Sequence, residues 1–150
     1  MLDFSAQLVM IAQICLALLL GGLLGFERES AEQNAGIRTY AAVCVGSCLF
    51  GILSIHVPVL GAANAIHNPS RIAAQVVTGV GFLGGGVMFR EGAGTRGLTT
   101  AASLWASAAI GLAISFRLYF VAIICTLLLL MMLFLSKTRL WQLMSPKYKK

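Results

Sequence analysis

Five apolar stretches alternate with short polar breaks along the chain, and the third organises the rest. It opens at Asn68-Pro69-Ser70, runs through eighteen predominantly apolar residues from Ile72 to Phe89, and closes on Arg90, Glu91 and Arg96. At about 1.5 Å per residue that run is about 27 Å long, close to the hydrocarbon thickness of a bilayer. Asn68 reads as an N-cap with Pro69 in the first turn. The middle carries Gly79, Gly81, Gly84, Gly85 and Gly86, which weaken a helix in water but let a second backbone approach closely in lipid. The stretch is therefore expected to be the central packing helix of a membrane bundle. Gly79 to Gly84 also match the dinucleotide-binding pattern G-x-G-x-x-G, which has meaning only between a strand and a helix, with an acid about 20 positions on. Within a membrane-length run, with Glu91 far too early, helix packing is the reading that fits.

The other four stretches are read the same way. Segment one, about Ala6 to Phe26, places Ala17, Gly21 and Gly25 on one face at four-residue spacing, and its single strongly polar residue, Gln13, is expected to face the interior. Segment two runs from about Thr39 to Leu60, with spaced small pairs at Ala42/Gly46 and Ser47/Gly51, and Pro58 marking its end. Segment four, Leu98 to about Phe116, carries Ser103, Ser107, Gly111 and Ser115 in a seam suited to close approach and interhelical hydrogen bonds. Segment five, Leu118 to Leu135, has no such seam and is expected to be the most lipid-exposed helix. The Arg117 connection is very short, so segments four and five could instead form one bent hairpin that dips back.

Composition agrees with this pattern. The 150 residues are 59% hydrophobic and 11% charged, against about 25% charged in an ordinary soluble domain. A water-soluble fold of this size cannot hide so much apolar surface. The net charge of +6 would point to nucleic acid in a soluble protein, but here the basic residues stand at segment ends and read as a topology signal. With five spans, one face collects Arg28, Arg38, Arg90, Arg96, Lys137, Arg139, Lys147, Lys149 and Lys150, and the other only Arg71 and Arg117. The positive-inside rule then puts the N-terminus out and the C-terminus in. The expected organisation is an all-α, polytopic transmembrane bundle over 1–136 followed by a basic cytoplasmic tail over 137–150, whose Leu140, Trp141 and Leu143 lie against an anionic lipid surface. MLDFSAQ has no basic region and no A-x-A site follows, so no cleaved leader is expected.

Candidate chemistry is sparse. Cys15, Cys44, Cys48 and Cys125 fall inside spans as small reduced hydrophobes. Cys44 and Cys48 share a face, but no His or Met cluster accompanies them as soft-metal ligands. His56 and His67 read as interfacial or loop residues. No nucleophile–base set appears, so no catalytic residue is assigned and an enzyme is not expected. Glu27, Arg28, Glu29, Arg38, Arg90, Glu91 and Arg96, together with Glu32, form a charged collar at one depth. The favoured reading is a network of ion pairs tying the two inner loops; the other is a divalent-cation or regulatory site led by Glu27 and Glu91. At the outer end of segment three, Arg71 and Gln75 share a face, either snorkelling to headgroups or lining a vestibule. Gly21, Gly25, Gly79, Gly81, Gly84, Gly85, Ser103, Ser107 and Gly111 are the expected helix-packing positions. No Asp, Glu or Lys lies deep in a span, as a proton-coupled transporter usually requires.

GGLLGFERE at 21–29, AGIRTYA at 35–41, NPSRIAAQVVTGVGFLGGGVMFREG at 68–92 and RGLTTAASLWASAAIG at 96–111 resemble, in order and spacing, the membrane domain of the MgtC/SapB (YhiD) family. The resemblance implies a bacterial inner-membrane, multi-pass bundle with a cytoplasmic C-terminus. It implies a non-enzymatic regulator or interaction protein linked to magnesium limitation, acid stress or virulence, with a transporter or channel for Mg²⁺ or a related ion as the alternative. Implied partners are membrane lipid and other inner-membrane proteins, the F-type ATP synthase among them. A homodimer is a further expectation, and nucleic acid is not a partner. No cofactor is expected, Mg²⁺ being the one ion the resemblance brings in, and no metal ligands are assigned. By motif position Glu27, Arg28, Gly36, Arg38, Arg71, Gln75, Gly81, Gly84, Arg90, Glu91, Arg96 and Trp105 inherit any family role. Asn68 stands where many members have Asp, and Gly86 completes a triple glycine where the family reads G-A-G. The expectation is a short form without the soluble C-terminal domain of longer members.

Overall fold

The computed structural model describes residues 3–56, 70–91 and 94–135. α1 spans Phe4–Ser30, 27 residues, or about 40 Å, longer than the ~30 Å hydrocarbon layer. Its apolar part ends at Phe26 as expected, but the helix continues one turn through Glu27, Arg28 and Glu29, since Glu and Arg are good helix formers. It stops in a Schellman motif: Gln33 N–H donates to the Arg28 carbonyl (3.1 Å) and Glu32 N–H to that of Glu29 (3.0 Å). Glu32 takes the left-handed conformation there, with φ 54°.

α2 spans Ile37–His56; the expected Pro58 stop and Asn68-Pro69 start lie outside the described residues. α3 spans Ser70–Gly86 and ends three residues before the expected Phe89. Three consecutive glycines remove the helix propensity that would carry it further. Phe89–Glu91 (β1) and Gly94–Arg96 (β2) then form an antiparallel ribbon where the sequence reading has a charged loop. Gly97, at φ +86°, turns β2 into α4; a Cβ there would collide with the Val87 carbonyl. α4 spans Leu98–Ser115 and α5 Tyr119–Leu135. Between them a second Schellman motif has Leu118 N–H donating to Ala113 (2.9 Å) and Arg117 N–H to Ile114 (3.0 Å), with Arg117 at φ 61°. The short connection therefore joins two separate antiparallel helices. α1, α2 and α4 are long and apolar enough to cross a membrane, whereas α3 and α5 are apolar but shorter.

Packing centres on α2. From one side, Gly21 and Gly25 of α1 let the two backbones touch: a Cβ on Gly21 would stand 2.6 Å from Cys44 Cβ and 2.8 Å from the Tyr40 carbonyl. On Gly25 it would stand 2.5 Å from Ile37 Cα. From the other side, α4 sets Gly111 against the Cys44–Cys48 backbone, and Ser115 sits against Gly51. Ser107 Oγ donates to the Tyr40 carbonyl at 3.2 Å. Gln13 faces inward as expected, its Nε2 donating to the Ile114 carbonyl (2.7 Å) and more weakly to Ser115 (3.3 Å). These carbonyls lie in the last turn of α4, and at Ile114 Gln13 adds a second donor to the Arg117 N–H of the Schellman motif.

α3 is not the central helix. It lies at the edge, with Val76 and Val80 clustered with Ala108 of α4 and Gly84 in ordinary contact with Ala101. Gly79, Gly81 and Gly85 have nothing within 4 Å of where a side chain would begin, and Phe82 is 84% exposed. Small residues mark a face that permits close approach, and at Gly79, Gly81 and Gly85 nothing among the described residues takes up the offer. α5 turns most of its surface outward, burying Ala122, Thr126 and Leu133.

Two outcomes follow from this packing. Gly21→Leu or Gly111→Leu should cost about 3 kcal/mol, the upper end of the usual range for overpacking, because backbone cannot yield, whereas Gly81→Leu should leave detergent melting and size-exclusion profiles of the single chain unchanged. Glu32→Gly and Arg117→Gly should each stabilise by about 0.5–1 kcal/mol by relieving left-handed non-glycine residues, read as higher midpoints in denaturing-detergent titration.

Candidate functional site

α2 and α4 run the same way and α3 opposes both, since Tyr40 meets Ser103, Gly51 meets Ser115, and Gly84 meets Ala101. The C-terminal ends of α1 and α3, the N-terminal ends of α2 and α4, and the β-ribbon therefore share one end of the bundle. That end holds every residue of the expected collar.

Its interior is a buried polar cluster. Arg28 is buried on the last turn of α1, and its Nε donates to Glu27 Oε2 at 2.5 Å. The side chains are 5% and 11% exposed. The hydroxyl of Tyr40, on the first turn of α2 at the same end of the bundle, is fully buried. That hydroxyl shares a 2.5 Å hydrogen bond with Ser103 Oγ and donates more weakly to the Thr100 carbonyl at 3.3 Å. Thr100 Oγ1 reaches Gln33 Oε1 at 3.4 Å, joining the α1–α2 loop to α4. Burying an ion pair is costly unless its geometry and remaining hydrogen bonds compensate. A charged pair at this depth in a membrane bundle therefore points first to function.

Glu29 does something different. Its Oε2 accepts from the Ile37 N–H at 3.0 Å, capping α2 from α1, where a carboxylate also complements the helix dipole. Gly36 makes room: a Cβ there would stand 2.5 Å from that oxygen. Arg38, one residue on, is exposed and has no ion pair among the described residues. The expected tie from Arg38 to these acids is thus replaced by a neighbour pair, Glu27–Arg28, and a cap, Glu29–Ile37. A backbone N–H competes well for a carboxylate and needs no ordering of a long side chain. Arg90 and Glu91 lie on β1 and Arg96 on β2, with Arg90 and Arg96 exposed.

Arg71 and Gln75 lie at the opposite end, on the first turns of α3, both exposed. Tyr40, Gln33 and Thr100 are the cluster members that sequence reasoning missed. The signal for Tyr40 is its place on the Tyr40–Cys44–Ser47–Cys48–Gly51 face of segment two, all of which is buried. Cys44 and Cys48 serve as small core residues on that face. Among the described residues, no group of three His, Cys, Asp or Glu is placed to hold a metal ion.

If capping rather than pairing is the role of Glu29, Glu29→Ala should lower stability by about 1 kcal/mol. A double-mutant cycle with Arg38→Ala in denaturing detergent should show coupling below about 0.3 kcal/mol.

The sequence profile of the MgtC family matches residues 14–140. Protein MgtC of Brucella abortus (strain 2308) is 50% identical over 95 residues, which are 63% of this chain and 37% of the relative. Protein MgtC of Salmonella typhimurium (strain LT2) is 46% identical over 101 residues, 67% of this chain and 41% of the relative. The chain thus matches about two fifths of the length of these curated relatives. No solved structure matches it. The matched span takes in α2 to α5 and most of α1, including the buried Glu27–Arg28–Tyr40 cluster, and on that extent the chain belongs to the MgtC family.

Proposed function

We propose that the chain is a multi-pass protein of the bacterial inner membrane that regulates other membrane proteins under magnesium limitation, acid stress or infection. It acts by contact, without catalysing a reaction. The observation that carries this reading is the state of the collar's acids. Glu27 is engaged by Arg28 and Glu29 by the start of α2, so the carboxylates build a fixed polar end, not an open cage of oxygen ligands. A Mg²⁺ site would draw on one or two such carboxylates while keeping several waters. The exposed arginines of that end, Arg38 on α2 and Arg90 on the ribbon, are left to face the cytoplasm and a partner. The basic face belongs inside by the positive-inside rule. Membership of the MgtC family supports the link to magnesium and virulence, and other inner-membrane proteins, such as the F-type ATP synthase, are the partners that fit it.

Two measurements on one protein separate regulator from transporter. Proteoliposomes of the purified chain should pass no more Mg²⁺ than protein-free vesicles. In a strain lacking the protein, Arg90→Glu should lose restoration of growth at low Mg²⁺ while expression and detergent melting stay at wild-type levels. Saturable flux abolished by Arg71→Ala would instead make the chain a transporter.

A further inference from the structure

The core leaves open a groove of about 510 Å³ between α2 and α3, a volume typical of ligand sites. Its floor is small: Gly46 and Gly79 line it with nothing within 4 Å of either missing side chain. Phe50, Val76 and Leu83 form apolar walls. Apart from buried Ser47, the polar side chain in the lining is Gln75, and Arg71 stands one helical turn beyond it on the same face. Four-residue steps on a helix are about 6 Å. Along α3 the order is thus Arg71 just beyond the groove, then the Gln75 carboxamide in its lining, then an apolar trough from Gly79 to Leu83.

That order matches a phospholipid taken from the headgroup inward: phosphate, ester carbonyl, acyl chain. Guanidinium and phosphate form charge-assisted, bidentate hydrogen bonds, and the Gln75 amide can donate to an ester carbonyl at the edge of the hydrocarbon. We propose that the groove binds one anionic phospholipid, its phosphate at Arg71, an ester carbonyl at Gln75 and an acyl chain over Gly46 and Gly79. Charge complementarity selects this occupant. The other end of the groove also has a cation, Arg38, one turn beyond Ala42, but its lining there is Ala42, Val43 and Leu83, with no donor for an ester. The lipid site stands independently of whether the chain regulates or transports.

The test is native mass spectrometry of the purified full chain, titrated with dioleoyl phosphatidylglycerol or dioleoyl phosphatidylcholine. Wild type should retain one phosphatidylglycerol several-fold more tightly than phosphatidylcholine, because both offer a phosphate to Arg71 but the choline cation of the second offsets its charge. Arg71→Gln should erase that preference, and Gln75→Leu should weaken both lipids a few-fold. Gly79→Leu should block both; it fills open space, and Gly46→Leu fills the same groove from α2, so one folded variant, checked by thermal melting, suffices. Arg38→Gln should change nothing. Equal retention of the two lipids by wild type would overturn the proposal. So would a preference lost in Arg38→Gln but kept in Arg71→Gln, or wild-type retention in a folded Gly79→Leu or Gly46→Leu chain.

Discussion

Backbone-to-backbone approach around α2 is the constraint on which the rest depends. In lipid the hydrophobic effect gives helices no reason to associate, so dispersion contacts and interhelical hydrogen bonds must hold them. Gly21, Gly25 and Gly111 bring two helices against α2 at distances where no other residue fits. Once the backbones are that close, short side chains can hydrogen-bond across the gap. Ser107 reaches the Tyr40 carbonyl, and Tyr40 reaches Ser103. Longer residues at the glycines would separate the helices and strand these polar groups in hydrocarbon. Packing and polar satisfaction are therefore one requirement, met by the same few positions.

The polar groups then finish what the glycines begin. Gln13 closes the carbonyl end of α4 from α1, and Glu29 closes the amide end of α2 from the same helix. α1 thus reaches a terminus of a different neighbour from its middle and from its last turn. Helix termini carry unsatisfied backbone groups that water would meet at a soluble surface. Here side chains of α1 meet some of them, which fixes the lengthwise register of α1 against α2 and α4. Arg28 sits within this frame, so its charge is held in place by the turn that terminates α1.

Much of this is legible in the sequence, because hydrophobic runs of membrane length and four-residue seams are direct consequences of helix geometry. The Ala17–Gly21–Gly25 and Ser103–Ser107–Gly111 seams both lie where helices meet. The seam on α3 shows where that inference stops: Gly79, Gly81 and Gly85 permit close approach, yet permission names no neighbour. The end of α3 differs from expectation for a related reason. Apolar character continues to Phe89, but Gly84, Gly85 and Gly86 exhaust the helix three residues earlier. At the collar, sequence places Glu29 and Arg38 at one depth but cannot weigh a guanidinium against the Ile37 N–H as partner. That competition is decided by a loop of six residues and by the missing side chain of Gly36.

The unequal use of glycine has a mechanical consequence. Each glycine inside a helix costs about 1 kcal/mol relative to alanine. In α1 and α4 that cost is offset by the close approach to α2 that the missing side chains allow. In α3 no close approach among the described residues offsets the cost at Gly79, Gly81 and Gly85. α3 is consequently held less firmly than α1 or α4, at the edge of the bundle and through Val76, Val80 and Gly84 against one face of α4. It is also the helix that carries Arg71 at one end and leads into the Arg90 ribbon at the other. Whatever occupies the groove bears on α3 before it bears on the core. The fold thus sets the Glu27–Arg28 pair in its most tightly packed part and the arginines of the ribbon beyond its most loosely packed helix, at the same end of the bundle.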